Sequence, residues 1–349
     1  YKCHQNFDRY NMHLNVNHKF SKIWEAGGSL YFTHSVQNIG SYEALRSAYR
    51  LPGVAYPYDE EGNLVYHVYR NDVVSNPLLE SGDGEQRQNK RFRVFGNIYL
   101  QMKPIEGLTL RSQFAPQMIY KREGVYIGPD SKNSTGKAES TTADYNQTLY
   151  WSYVWDNQVT YDKLFGLHHL NLSFVQSIQM EEWEYSNQSA KGFSYNSLWY
   201  NLGASGLSNA TKSTTDFEKR TLASFLGRVQ YSFNERYLLT LSGRYDGSSR
   251  LAAGNQWAFF PSAALAWRMS EEDFLKDFEQ LSNLKLRISY GTTGNDAVDI
   301  YGTQSGISLK NYDFGGLTVP AYYKDRLANR ELSWEKTNEI NVGLDFGFF

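Results

Sequence analysis

Apolar and polar residues alternate one by one along unusually long stretches of this sequence, and that alternation limits what the chain can become. From Tyr10 one face reads Tyr10, Met12, Leu14, Val16, His18, Phe20 and the other Asn11, His13, Asn15, Asn17, Lys19. Phe92, Val94, Gly96, Ile98, Leu100 and Met102 alternate with Arg91, Arg93, Phe95, Asn97, Tyr99 and Gln101. The same period of two runs through Tyr237–Tyr245, Leu284–Tyr290 and Ile340–Phe348. It places successive side chains on opposite faces of a strand, so each stretch reads as a strand with one apolar and one polar face.

About eleven such segments follow from this reading: 9–20, 23–36, 90–102, 107–121, 143–157, 166–184, 217–233, 236–249, 255–269, 284–292 and 336–348. Strands of soluble proteins commonly have about five or six residues. Most of these are about twice that, the length a tilted strand needs to cross a bilayer. Short links ("SKIW", "KPIEG", "YDKLF", "NE") follow the odd-numbered segments, and "SEEDFLKDFEQLSN" reads as one or two amphipathic helical turns. Polar loops at 37–89, 122–142, 186–216, 250–254 and 293–335 follow the even-numbered ones. Short turns at one end and long loops at the other are the asymmetry of outer-membrane barrels. The fold class expected is therefore all-β, part of a large transmembrane β-barrel.

An apolar face turned to lipid accounts for an otherwise odd composition. Mean hydropathy is only −0.58, yet 16% of residues are aromatic, with 27 Tyr, 20 Phe and 8 Trp. No run of about 18 apolar residues exists, which excludes a transmembrane helix. A net charge of −2 gives no electrostatic attraction to nucleic acid. Cys3 is the single cysteine, so neither an internal disulfide nor a cysteine metal site can form within this sequence.

The stretch "WAFFPSAALAW" (257–267) fits one barrel strand. Ten residue steps, tilted by about 40°, rise about 25 Å, the height of the apolar band on such barrels. Trp257 and Trp267 then mark the two water–lipid interfaces, and Tyr237 and Tyr245 bracket the neighbouring strand in the same way. Pro261 and Pro116 stand against the reading, because proline removes a ladder hydrogen bond and belongs at a bulge or local edge.

No catalytic, metal or cofactor constellation emerges. The seven histidines show no ligand spacing, "GTQSG" places its serine wrongly for a nucleophile elbow, and "DEEGN" (59–63) reads as a hairpin turn.

From about residue 217 the sequence resembles the SusC-type TonB-dependent transporters. The carriers are "RYLLTLSGRYDGSSRLAAGNQWAFFPSAALAWRMSEEDFLKD", "LSNLKLRISYGTTGN" and "LANRELSWEKTNEINVGLDFGFF", three blocks in the family's order. The resemblance implies a barrel of about 22 strands with a plugged lumen. It further implies TonB as energy source, a SusD-like surface lipoprotein as lid, and active import of an oligomeric nutrient. A glycan is the leading substrate and a peptide the alternative; a passive porin or a barrel-embedded enzyme ranks lower. Residues 1–349 would be barrel throughout, with plug, TonB-coupling segment and signal peptide outside this sequence. An odd number of antiparallel strands cannot close by itself, so about half a barrel is expected. Among loop aromatics, Phe193, Tyr195, Trp199 and Tyr200, with Tyr56 and Tyr58, are candidates to touch substrate or lid. Aromatic faces stack on sugar rings, and the competing role is packing of the loops themselves.

Overall fold

The computed structural model describes residues 5–348 except 41, 70–74, 81–83, 132–133, 135–139, 206–210, 276–277 and 279. Cys3 lies outside the described residues. Eleven strands form one antiparallel sheet in which neighbours in sequence are neighbours in space. They are β1 (Asn6–Lys19), β2 (Trp24–Asn38), β3 (Glu85–Met102), β4 (Leu108–Ile127), β5 (Thr142–Phe165), β6 (His168–Lys191), β7 (Lys212–Phe233), β8 (Tyr237–Ser248), β9 (Trp257–Arg268), β10 (Leu281–Asn295) and β13 (Glu335–Phe348). A separate hairpin, β11 (Gly306–Phe314) and β12 (Leu317–Arg326), rises between β10 and β13. Inside the β2–β3 connection lie a short helix α1 (Tyr42–Tyr49) and a 3-10 turn at Pro77–Glu80.

The alternation read from sequence becomes geometry because the register does not slip by a single residue along the central strands. Met12 faces Phe32, Phe32 faces Val94, and Val94 faces Met118. At the far end Leu286 faces both Trp267 and Leu344. One apolar surface therefore runs from β1 to β13, with one polar surface behind it. Phe225, Leu241, Leu265 and Val342 are all exposed on the apolar side, since among the described residues no second layer covers them.

Strand ends depart from the sequence reading. β5 and β6 each run 24 residues, because polar stretches such as "EYSNQSAK" continue the ladder above the apolar band. The β5–β6 turn falls at Gly166, not at "YDKLF": Gly166 takes φ +61, which a residue with a side chain rarely adopts. The loop expected at 293–335 contains the β11–β12 hairpin. The helical turns expected after β9 are a 3-10 turn at Met269–Glu271, and among the described residues no α-helix follows it. Glu272 ends it in an extended conformation (φ −81, ψ 146), its carboxylate held by neighbouring strand ends.

Both prolines sit where the ladder is already interrupted. Pro116 faces Gly96, and the β3–β4 pairing skips from Phe95–Gln117 to Ile98–Phe114. Pro261 pairs with Gly243 of β8, but the β9–β10 ladder ends one residue before it, at Ser262–Gly291. Beyond that point the Phe260 ring packs on Gly294 and meets Trp334 edge-on, with centroids 5.2 Å apart. The Trp334 indole donates to the Gln256 carbonyl at 2.8 Å. Pro261 is thus a local edge residue where two strands part. Pro261→Ala is expected to change stability by less than about 0.5 kcal/mol. Ala264→Pro, inside both ladders, should cost about 1–3 kcal/mol through one orphaned buried partner, read as denaturant midpoint in detergent.

Candidate functional site

Two aromatic rows edge the apolar face. In one, Trp257 stacks with Tyr245 at 4.9 Å and with Phe225 at 6.3 Å. In the other, Tyr237 stacks with Trp267 at 6.3 Å and with Phe233 at 6.4 Å. Between them β9 presents only Phe259, Pro261, Ala263 and Leu265 on this face. In the second row register sets Phe233, Tyr237 and Trp267 directly opposite one another, while in the first Tyr245 faces Phe225 and Trp257 reaches both from its place opposite Gly247, and in each the near-parallel rings stack with an offset.

The second row is tied to the turn that follows β9. Glu272 Oε1 accepts from the Tyr237 hydroxyl at 2.6 Å and the Trp267 indole at 3.0 Å, while Arg236 bonds Oε2 at 3.3 Å. The Tyr237 hydrogen bond, then the Trp267 one, holds the Glu272 carboxyl below its ordinary value. The turns also grip one another: Asn234 N–H donates to Leu167 at 2.7 Å and Arg268 N–H to Arg236 at 2.8 Å. Sequence reading missed Glu272 because it stood in a charged run with no periodicity.

The polar face carries charge in matched pairs along its middle. Arg220 forks onto Glu181 with both contacts at 2.7 Å, Arg244 meets Asp246 at 2.7 Å, and Arg287 meets Asp345 at 2.6 Å. Serines and amides bridge the strands between, as in Asp156 accepting from Ser177 at 2.6 Å. Among the described residues no group of three or more His, Cys, Asp or Glu side chains is placed to hold a metal.

The loops sit at the opposite end from the short turns, and they divide the six candidate aromatics. Phe193 and Trp199 are buried, packed with Tyr126, Ala143 and Ala190. Trp199 lies flat on Gly124, where a Cβ would collide with the indole. Residues 124, 126, 143 and 190 continue the outward face above the aromatic row, so this loop covers its own strands. Tyr195 and Tyr200 are exposed, and so are Tyr56 and Tyr58. Tyr58 bridges to Leu64 around the 59–63 turn, where Asp59 Oδ1 accepts the amides of Asn63 (2.7 Å) and Glu61 (3.0 Å). Those bonds, the Asn63 amide foremost, hold the Asp59 carboxyl low. Fully buried Asn76 fixes this loop by donating to the carbonyls of Pro57 and Val65, both at 2.8 Å. A cleft of about 660 Å³ between the two loops is lined by Asn63, Tyr66, Tyr126, Phe193 and Tyr195. Tyr195 joins it; Tyr56, Tyr58 and Tyr200 do not.

A sheet with one apolar face edged by stacked aromatics, one charged face, tight turns at one end and folded loops at the other is the wall of a large transmembrane β-barrel. The family profile described as "TonB dependent receptor-like, beta-barrel" matches residues 2–349. The chain belongs to that family, whose members are β-barrels of the bacterial outer membrane. It is 27% identical over 358 residues to TonB-dependent receptor P3 of Formosa agariphila, covering 99% of this chain and 35% of that protein. It is 33% identical over 207 residues to TonB-dependent receptor SusC of Bacteroides thetaiotaomicron, covering 56% of this chain and 21% of SusC. The chain thus spans about a third or less of these relatives. Its fold superposes on a chain of the RagAB peptide transporter with TM-score 0.82 at 22% identity, covering 99% of this chain and 39% of that one.

Two tests follow from the faces and the turn. Leu241, exposed between Val229 and Ala263, should on replacement by Arg cost about 2–4 kcal/mol of insertion if near the midplane. Ser242→Ala on the polar face gives up only the 2.6 Å hydrogen bond to Ser262 and should cost about 1 kcal/mol or less, with heat-modifiable gel mobility as the assay. The Glu272 carboxyl is depressed in the folded state, so its stabilisation is present above the unfolded value and disappears as pH falls through the folded one. Acidification through the folded value, which lies below the ordinary glutamate range, should therefore loosen the Trp267 contact. The wild-type minus Glu272→Gln fluorescence difference isolates this signal from the other seven of 8 tryptophans.

Proposed function

We propose that the protein containing this barrel wall imports an oligomeric nutrient across the outer membrane, with energy from TonB and no covalent chemistry of its own. The two-faced wall carries this reading: one face suits lipid, the other a solvated, charged lumen, and the family it belongs to is that of TonB-dependent receptors. Tyr245 and Trp257 would stand in the outer interfacial girdle and Tyr237 and Trp267 in the periplasmic one. A glycan is the substrate class favoured here, because exposed tyrosines with neighbouring amides and hydroxyls suit stacking on sugar rings. A peptide is the alternative, peptide being what the RagAB structure is described as transporting.

A SusD-like lipoprotein is the partner proposed for the loop end. The exposed Tyr195, Tyr200, Tyr56 and Tyr58 are the contacts assigned to lid or substrate, while buried Phe193 and Trp199 anchor the loop that presents Tyr195 and Tyr200. Tyr195→Ala with Tyr200→Ala should weaken co-purification of the lipoprotein or binding of oligosaccharide and leave the fold intact. Trp199→Ala should instead loosen the loop by about 3 kcal/mol or more, seen as faster proteolytic nicking between 192 and 205. Uptake of labelled oligosaccharides by energised cells with and without TonB tests the whole reading. Accumulation independent of TonB would point to a passive pore, and accumulation of peptides alone would overturn the glycan assignment.

A further inference from the structure

The lumenal face is not uniform in charge. Along its middle, Arg220, Arg244 and Arg287 each meet a carboxylate, but in the first strands Arg9, Arg91 and Arg93 meet none among the described residues. Arg9 donates to Asn11 at 3.0 Å and Arg93 to Gln117 at 3.2 Å, both neutral amides. Register makes this a built arrangement. Arg9 faces Ser35, Ser35 faces Arg91, and Arg91 faces Lys121, one row across four strands about 4.8 Å apart. Lys121 is ion-paired with Glu123 at 2.7 Å, the single carboxylate touching the row among the described residues. Two cations directly opposite each other across a ladder, as Arg91 and Lys121 are, destabilise a sheet. The Lys121–Glu123 pair offsets part of that repulsion, and Arg91 keeps no carboxylate partner among the described residues.

These cations line one cavity of about 470 Å³ with Tyr31, Phe95, Ser35 and Asn89. Its volume lies in the range of small-molecule sites. It opens on the lumenal side near the loop end of β1–β4, the end at which a substrate from outside arrives. We infer that this cavity binds a negatively charged segment of the imported oligomer, an acidic oligosaccharide bearing carboxylate or sulfate groups. Arginine forks match both groups bidentately, and Tyr31 and Phe95 offer rings on which a sugar face can stack. Rings beside amides and hydroxyls favour a sugar acid over an acidic peptide. The inference rests on the import reading above and narrows its substrate.

The test uses the intact receptor in detergent with three probes of matched length: an oligogalacturonate, a neutral malto-oligosaccharide and an oligoglutamate. Arg91→Gln with Arg93→Gln should weaken oligogalacturonate binding about tenfold to hundredfold and flatten its dependence on salt, leaving the neutral sugar unchanged. Arg91→Lys with Arg93→Lys should restore part of the loss. Arg228→Gln, an unpaired lumenal cation outside the cavity, should change it by less than about threefold. Equal loss for charged and neutral sugars, or no loss at all, would overturn the site. Tighter binding of oligoglutamate with the same arginine dependence would overturn the sugar assignment. Import is judged separately: if energised cells accumulate the neutral sugar but the arginine variants bind oligogalacturonate normally, the import reading stands and this cavity's role falls.

Discussion

Everything in this molecule depends on a hydrogen-bond ladder that keeps one parity from β1 to β13. Within a bilayer no water is available to bond a free N–H or C=O, so a spanning chain must satisfy each of them internally. Once the ladder is continuous, a residue's face follows from counting along its strand. A one-residue slip would send every apolar side chain into the lumen. The irregularities confirm how tightly this is held. The β3–β4 pairing skips two positions around Pro116 and resumes in the same register, and the bulge in β10 falls at its very end, between Leu281 and Asn283.

That constraint explains which parts of the fold were legible in the sequence. Leu284, Leu286, Ile288 and Tyr290 share a face with Phe346, Leu344, Val342 and Ile340 because register pairs them in that order, as alternation alone had indicated. Pattern fails where the environment ceases to be two-faced. Above the band both faces of β6 and β7 meet polar surroundings or their own loops, so these strands continue without alternation past 184 and 217 to Lys191 and Lys212, while β5 runs on at its turn end from 157 to Phe165. The β11–β12 hairpin is exposed on both sides, so its residues bear no imprint of a core.

The loop aromatics show a second limit. "KGFSYNSLWYNLG" holds four aromatic residues at the same level of description, yet two are buried and two are exposed. Burial of Trp199 is decided by a glycine some 75 positions away, Gly124, and burial of Phe193 by Ala143 and Ala190. Those small residues leave a shallow on the outward face that the two rings fill. Nothing local to the loop discloses it. Asn76, Glu272 and Trp334 were missed for the same reason: each acts through partners brought near only by the sheet.

The wall's charges separate structure from use. A lumenal arginine can stand paired or open to solvent, since an exposed ion pair stabilises a fold by about 1 kcal/mol or less. Arg220 with Glu181 shows the solution, a bidentate pair at 2.7 Å in which both side chains are largely withdrawn from solvent. The same solution was available to Arg91, whose cross-strand neighbour could have been acidic and is Lys121 instead. Glu123 on the same strand balances Lys121 at 2.7 Å, and Arg91 is left without a carboxylate among the described residues. Like charges face to face in a lined cavity suit a ligand that brings the counter-charge, which is the role proposed for this cavity at the loop end of β1–β4.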